Sequence, residues 1–190
     1  MPSSGPRADT PGAGRSHDQE SPVSSSTSLP LTTDRLVLRP WTPPEVTAVL
    51  TGTRPAHWAE DFPADGDHVI VGLLEQNPAW LGAHGHRLIV ERDSGQVVGS
   101  IGLFWPPTDA TVEIGYGVVA SRRGRGYATE ATRALAAFAL AAPEVHTVAA
   151  GAEIANPASL RVLEKAGFRR HATEGGIARF LLTAPDHQEQ

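Results

Sequence analysis

"SRRGRGYATEA" (residues 121–131) gathers three arginines and two glycines into its first six positions. The apolar stretch "ATVEIGYGVVA" (110–120) runs into it, and an alanine-rich run follows at once. That order reads as strand, turn, helix. The first turn of a helix leaves backbone N–H groups unpaired and carries the positive end of the helix dipole. Gly124 and Gly126 allow close approach to the backbone, and the arginines add charge. Together they predict a cradle for a phosphate group. The same residues would also make a plain strand–helix joint with arginines in solvent, and the stretch alone leaves both readings open.

Two phosphate-binding patterns do not fit. A dinucleotide fingerprint needs glycine where Thr129 stands, and it belongs in an early β-α-β unit. A Walker A loop needs Gly-Lys-Ser/Thr, a tripeptide this chain lacks.

Outward from the loop, apolar periodicity predicts the remaining elements. Upstream, "DRLVLRPW" (34–41) alternates as a strand, and "TPPEVTAVL" (42–50) is a helix with Thr42 as cap and prolines in its first turn. Residues 52–66 read as a loop with exposed aromatics Trp58 and Phe62, 67–77 as a short helix, and 86–105 as a hairpin turning at 93–96. Downstream, a helix reaches about Ala142. A strand (145–153), a helix (156–167) and a final hairpin (168–184) follow. The order is β-α-α-β-β-β-α-β-α-β-β, a mixed α/β (α+β) domain with one main sheet.

The chain has 190 residues, 40% hydrophobic, enough for one domain with tails. Of the first 28 residues, 17 are Ser, Pro, Gly or Thr, so 1–28 is expected to be a disordered tail. The domain is placed at 29–184, with a solvated tail at 185–190. A net charge of -5 argues against a nucleic-acid partner. Cysteine is absent, which removes disulfides and thiol nucleophiles and agrees with a cytoplasmic setting. "ALAAFALAA" (134–142) is too short to span a bilayer, so no membrane role is expected. His84 and His86 form half a metal site without evident further ligands, and no metal is expected.

Two further motifs bear on identity. "GRGYATEA" (124–131) is followed by "NPASLRVLEKAGF" (156–168), and the folded part opens with "TDRLVLR" (33–39). In these the chain resembles the GNAT acetyltransferase superfamily, closest to its RimJ/RimL-like branch, over roughly residues 31–182. The family's pyrophosphate loop is Gln/Arg-x-x-Gly-x-Gly/Ala. Gly124 and Gly126 match, whereas Ser121 departs from the first position and Arg122 and Arg123 supply charge beside it. The resemblance implies a mostly antiparallel sheet whose central strands splay, flanked by helices, with acetyl-CoA lying in the splay between 111–120 and 145–153. Cofactor contacts would come from Val118, Arg122, Arg123, Gly124, Arg125, Gly126, Tyr127, Ala128, Asn156 and Ser159. Gly115 and Gly117 would clear the path of the pantetheine arm or mark a bulge.

The implied chemistry is attack of an amine on a thioester, with a backbone amide of the 111–120 strand polarising the carbonyl. Glu113, the one acid of that strand, is the candidate base, and burial there would raise its pKa. It would otherwise face solvent or bind the substrate cation. Many family members carry a tyrosine acid where Leu163 stands here. The resemblance gives that part to Ser159, with Asn156 positioning the cofactor and Tyr116 in reserve, although Asn and Ser in a helix's first turn are also ordinary caps. The acceptor pocket is expected from 52–66 and the stretch near Trp80, with Trp58, Asp61, Phe62 and Tyr116 touching the amine substrate. Without Cys or a Ser–His pair, transfer would be direct, with no covalent intermediate. The acceptor would be a small molecule or a protein N-terminus. Homodimers are common in the family, though no residue here argues for one. A non-catalytic acyl-CoA-binding domain on the same fold, or a nucleotide binder using the same loop, would share these features.

Overall fold

Leu36 and Leu38, placed inward by their alternation, are fully buried on the strand that carries them. The computed structural model describes residues 29–184, so the expected tails at 1–28 and 185–190 lie outside the described residues. In chain order the elements are β1 (Leu31–Thr32), β2 (Leu36–Pro40), α1 (Pro43–Thr51), α2 (Asp65–Gln76), β3 (His86–Glu91), β4 (Val97–Thr108), β5 (Thr111–Val118), α3 (Tyr127–Leu140), β6 (Thr147–Glu153), α4 (Pro157–Ala166), β7 (Arg169–Glu174) and β8 (Ile177–Thr183). Short 3-10 turns span Pro78–Leu81 and Ala120–Arg122. Apart from the two-residue β1, the order is the one read from the sequence.

The strands form one eight-stranded sheet in the order β1-β2-β3-β4-β5-β6-β8-β7. All pairings are antiparallel except β5 with β6. Alternation along β4 and β5 defines two faces. Ser100 on β4 binds Asp67 of α2, and Phe104 lies against Gly115. From Ser100 to Phe104 the two strands pair in unbroken register, so Ser100, Gly102, Phe104, Glu113, Gly115 and Gly117 share the α2 face. Tyr116 points the other way, to Ser159 of α4. On that second face α3 is applied through Ala131, Leu135, Ala136 and Ala139, all fully buried. The three alanines let the helix approach the sheet closely, and the Arg87 guanidinium of β3 lies 5.2 Å from the Phe138 ring of α3.

Some boundaries differ from the sequence reading. The first helix of that reading starts as expected, with the Thr42 N–H donated to Glu45 at 3.1 Å. The second starts two residues early, because Asp67 accepts the Ala64 N–H at 2.8 Å and closes the first turn from Asp65. β4 runs on to Thr108 through Pro106 and Pro107. These residues fall where its register with β5 shifts, so no ladder hydrogen bond is asked of them.

Candidate active site

β5 and β6 pair only at Thr111–Thr147, Val112–Val148 and Glu113–Ala149. Beyond Glu113 the strands separate, and on that side residues 114–118 of β5 have no partner strand. Unpaired strand backbone is a row of donors and acceptors seeking a partner. The expected splay is therefore present, and Glu113 stands at its apex.

The opening continues into a cavity of about 620 Å³ between β5 and the N-terminal ends of α3 and α4. Its lining includes every residue expected to touch the cofactor: Val118, Arg122, Arg123, Gly124, Arg125, Gly126, Tyr127, Ala128, Asn156 and Ser159. Gly124 (φ 74°) and Gly126 (φ 83°) hold the left-handed conformation that turns the loop into α3, which explains glycine at both. The residues opening α3, whose first N–H groups have no partner within the helix, thus line a basic pocket.

The arginines are held from behind. Glu91, buried at the end of β3, accepts the Tyr127 hydroxyl at 2.5 Å and the Ser94 hydroxyl at 2.6 Å. It also faces Arg122 and Arg125, each at 3.5 Å. The Ser94 and Tyr127 bonds keep its carboxyl below the usual carboxylate range. Arg122 donates to Gln96 at 2.9 Å, and Arg123 to the Val118 carbonyl at 3.1 Å. Glu130, early in α3, pairs with Arg35 at 2.6 Å and accepts the Thr33 hydroxyl at 2.6 Å. Arg35 also donates to the Arg125 carbonyl. None of these partners at positions 35, 91 and 96 was legible from the loop itself.

The Ser121 departure has a local cause. Its N–H and hydroxyl both donate to Asp61, at 2.8 and 2.7 Å, and these two bonds draw the Asp61 carboxyl down from its ordinary pKa. Asp61, expected in the acceptor pocket, instead ties the 52–66 segment to the start of the cradle. Trp58 and Phe62 also depart from expectation. They are 3% and 2% exposed and meet edge-on with ring centroids 5.0 Å apart, so they belong to the core rather than to an exposed wall. Backbone bonds between 57–59 and Val97 draw them inward.

Across the cavity, the Tyr116 and Ser159 hydroxyls lie 2.9 Å apart, and Tyr116 also donates to the Ser159 carbonyl at 3.2 Å. Burial pushes the Tyr116 phenol above its ordinary pKa, the Ser159 bond offsetting part of this, so it is a neutral donor at physiological pH. Asn156 caps α4, its side chain accepting the Ser159 N–H at 3.1 Å. Leu163, where a tyrosine would otherwise stand, is fully buried.

Glu113 is not buried as expected: its side chain is 51% exposed, 3.7 Å from Arg179 of β8. It lies on the α2 face with Phe104, whose ring meets Trp80 and His86 edge-on at 5.6 and 5.1 Å. The apex carboxylate and the hydroxyl pair thus occupy opposite faces of the sheet. His86 is buried, which pushes its pKa down to about 4, and His84 stacks on Trp105 at 4.1 Å. Among the described residues no group of three or more His, Asp or Glu is placed to hold a metal ion, and no helix is long and apolar enough to cross a membrane.

A family model described as "Acetyltransferase (GNAT) domain" matches residues 35–169. The Bacillus subtilis protein "Uncharacterized N-acetyltransferase YjdG" is 35% identical over 82 residues, 43% of this chain and 49% of the relative. The chain spans about half the length of the curated relatives it matches. Among solved structures, a GNAT-family acetyltransferase from Bacillus anthracis superposes with a TM-score of 0.61 at 21% identity, over 82% of this chain and 98% of its own. Mycobacterium smegmatis RimJ, solved in complex with CoA-disulfide, gives 0.58 at 20% identity over 81% and 84%. These two show the shared fold, while the family match runs through the splay, the cradle and both helices beside them. By that match the chain belongs to the GNAT acetyltransferase family.

Proposed function

We propose that the protein is an N-acetyltransferase of the RimJ/RimL-like kind that moves the acetyl group of acetyl-CoA onto a primary amine. The observation that carries this reading is the end of β5–β6 pairing at Glu113. It leaves a slot through the sheet with a carboxylate on one face and a hydroxyl pair on the other.

Acetyl-CoA would lay its pyrophosphate on the backbone amides of 122–128 and its pantetheine arm against the unpaired edge of β5. The acceptor would approach from the face of Glu113, Phe104 and Trp80. Glu113 takes a proton from the ammonium and passes it to water, then takes the second proton that the nitrogen sheds as it attacks; a neutral amine needs only the second transfer. The nitrogen lone pair bonds to the acetyl carbon, and a β5 amide holds the charge on its oxygen. The C–S bond breaks with its electrons on sulfur, and the thiolate takes a proton from the Tyr116–Ser159 pair. No covalent enzyme intermediate is required.

The need for a base depends on the acceptor. An α-amino group, with a pKa of about 7.7–8.0, is substantially neutral near pH 7.5, whereas a lysine amine at about 10.4 is not. The test is CoA release from acetyl-CoA near pH 8 against amino acids, polyamines, aminoglycosides and peptides. Transfer to at least one of them is expected. Glu113→Gln should then lower kcat/KM by about 10²–10⁴-fold with acetyl-CoA affinity unchanged. Retained turnover in that variant would remove Glu113 from the mechanism. Acetyl-CoA binding without transfer to any amine would favour a non-catalytic acyl-CoA-binding domain.

A further inference from the structure

Arg179 reaches Glu113 by an uncommon route. It stands on β8 opposite Gly151 of β6, and Glu113 lies on the far side of that strand, opposite Ala149. The guanidinium must therefore cross β6 over Gly151. A Cβ at 151 would sit 3.2 Å from Arg179 Nη1 and 3.3 Å from Ile177, tighter than ordinary contact, so the guanidinium passes close over Gly151. At its end the guanidinium makes no hydrogen bond among the described residues. It faces the Glu113 carboxylate at 3.7 Å, with both side chains about half exposed.

That geometry is a weak, open ion pair rather than a closed one. Five N–H donors in a rigid fork suit a carboxylate, and here they point to solvent beside the base. An acceptor with only positive charge would meet this cation as it approached Glu113. An acceptor whose amine and carboxylate share one carbon would lie alongside the pair from the solvent side, ammonium toward Glu113 and carboxylate onto Arg179. The neighbouring Phe104 and Trp80 rings leave an apolar flank for a side chain.

Resting on the transferase reading above, we propose that the acceptor is a small α-amino acid, with Arg179 as the residue that selects its carboxylate. Polyamines, aminoglycosides and internal lysines lack that group beside the reacting amine.

The experiment compares amino acids with their amides and methyl esters at equal concentration of neutral amine. In the wild-type protein kcat/KM should favour the acid by about tenfold or more. Arg179→Gln should bring that ratio to about one, with acetyl-CoA affinity as the check on folding. Arg179→Lys, which keeps charge but not the fork, should restore part of it. Equal or better turnover of amides in the wild type, an unchanged ratio in Arg179→Gln, or transfer only to polycations would overturn the proposal while leaving acetyl transfer standing. Were no amine acetylated, calorimetry of amino acid against amide on the CoA-loaded protein would still decide: preferential binding of the acid supports it, and no preference overturns it. The absence of transfer itself would count only against the transferase reading.

Discussion

Tyr116 and Ser159 stand 43 residues apart in the chain and meet at 2.9 Å, so under the proposed mechanism they would act as one proton donor rather than two. Neither hydroxyl should therefore be independent in kinetics. Tyr116→Phe and Ser159→Ala are each expected to lower kcat by about tenfold or more, and the double variant should fall little below the worse single one. Steady-state kinetics on the four proteins tests this, and fully multiplicative losses would separate the two roles. The sequence offered both residues but not their contact, since nothing local reports that β5 and α4 converge. It also offered Trp58 and Phe62 as surface aromatics. Residue type alone does not tell an aromatic that lines a pocket from one drawn inward by backbone bonds to Val97. Glu113 was legible as the one acid of its strand. Its exposure was not, because a strand central in the sheet can still open to solvent where its neighbour leaves it.

At the scale of elements, the turn into α3 is the best-specified feature of the chain. Two glycines, an arginine between them, two arginines before them and an acid in the first turn can be read directly, and the structure sets both glycines at positive φ in a strand–loop–helix. Gly126→Ala would force a Cβ into the left-handed region, 3.4 Å from Arg35 Nη2, at a cost of about 1–2 kcal/mol. We expect a lower melting temperature and a smaller stabilisation by saturating acetyl-CoA than in the wild type, both measured by thermal unfolding. The α4 cap was equally legible, with Asn156 and Pro157 in their ordinary places. Register was not. Arg179 comes within reach of Glu113 because one strand, β6, lies between β5 and β8, with Gly151 beneath the arginine's path. Strand order across a sheet is set by long-range pairing that local pattern does not encode.

The whole molecule should be sensitive to acid. Burial alone would raise the Glu45 pKa, but bonds from Arg39, Thr42 and His57 outweigh it and bring it from 4.5 down to about 2. A depressed carboxylate adds stability that is present above the unfolded pKa and lost as pH falls through the folded one. This contribution, on the order of 3 kcal/mol, should fade between about pH 4.5 and 2. His86, held neutral by burial down to about 4, adds to the loss from about pH 6.5 downward, because the unfolded chain takes up its proton first. Urea midpoints should fall from pH 7 to 2, and Glu45→Gln should flatten the part of that curve below about pH 4.5. The element order was readable at this scale because each apolar run had its own period and its own stop. The network linking Asp61, Ser121, Arg122 and Glu91 was not, since its members come from three separate stretches.

The opposite placement of the apex carboxylate and the hydroxyl pair also bears on inhibition. A compound joining an amino acid's nitrogen to the sulfur of CoA through a two-carbon bridge would thread the sheet, one end on each face. Each half would raise the local concentration of the other. The residence time of such a compound would report how readily β5 and β6 move apart.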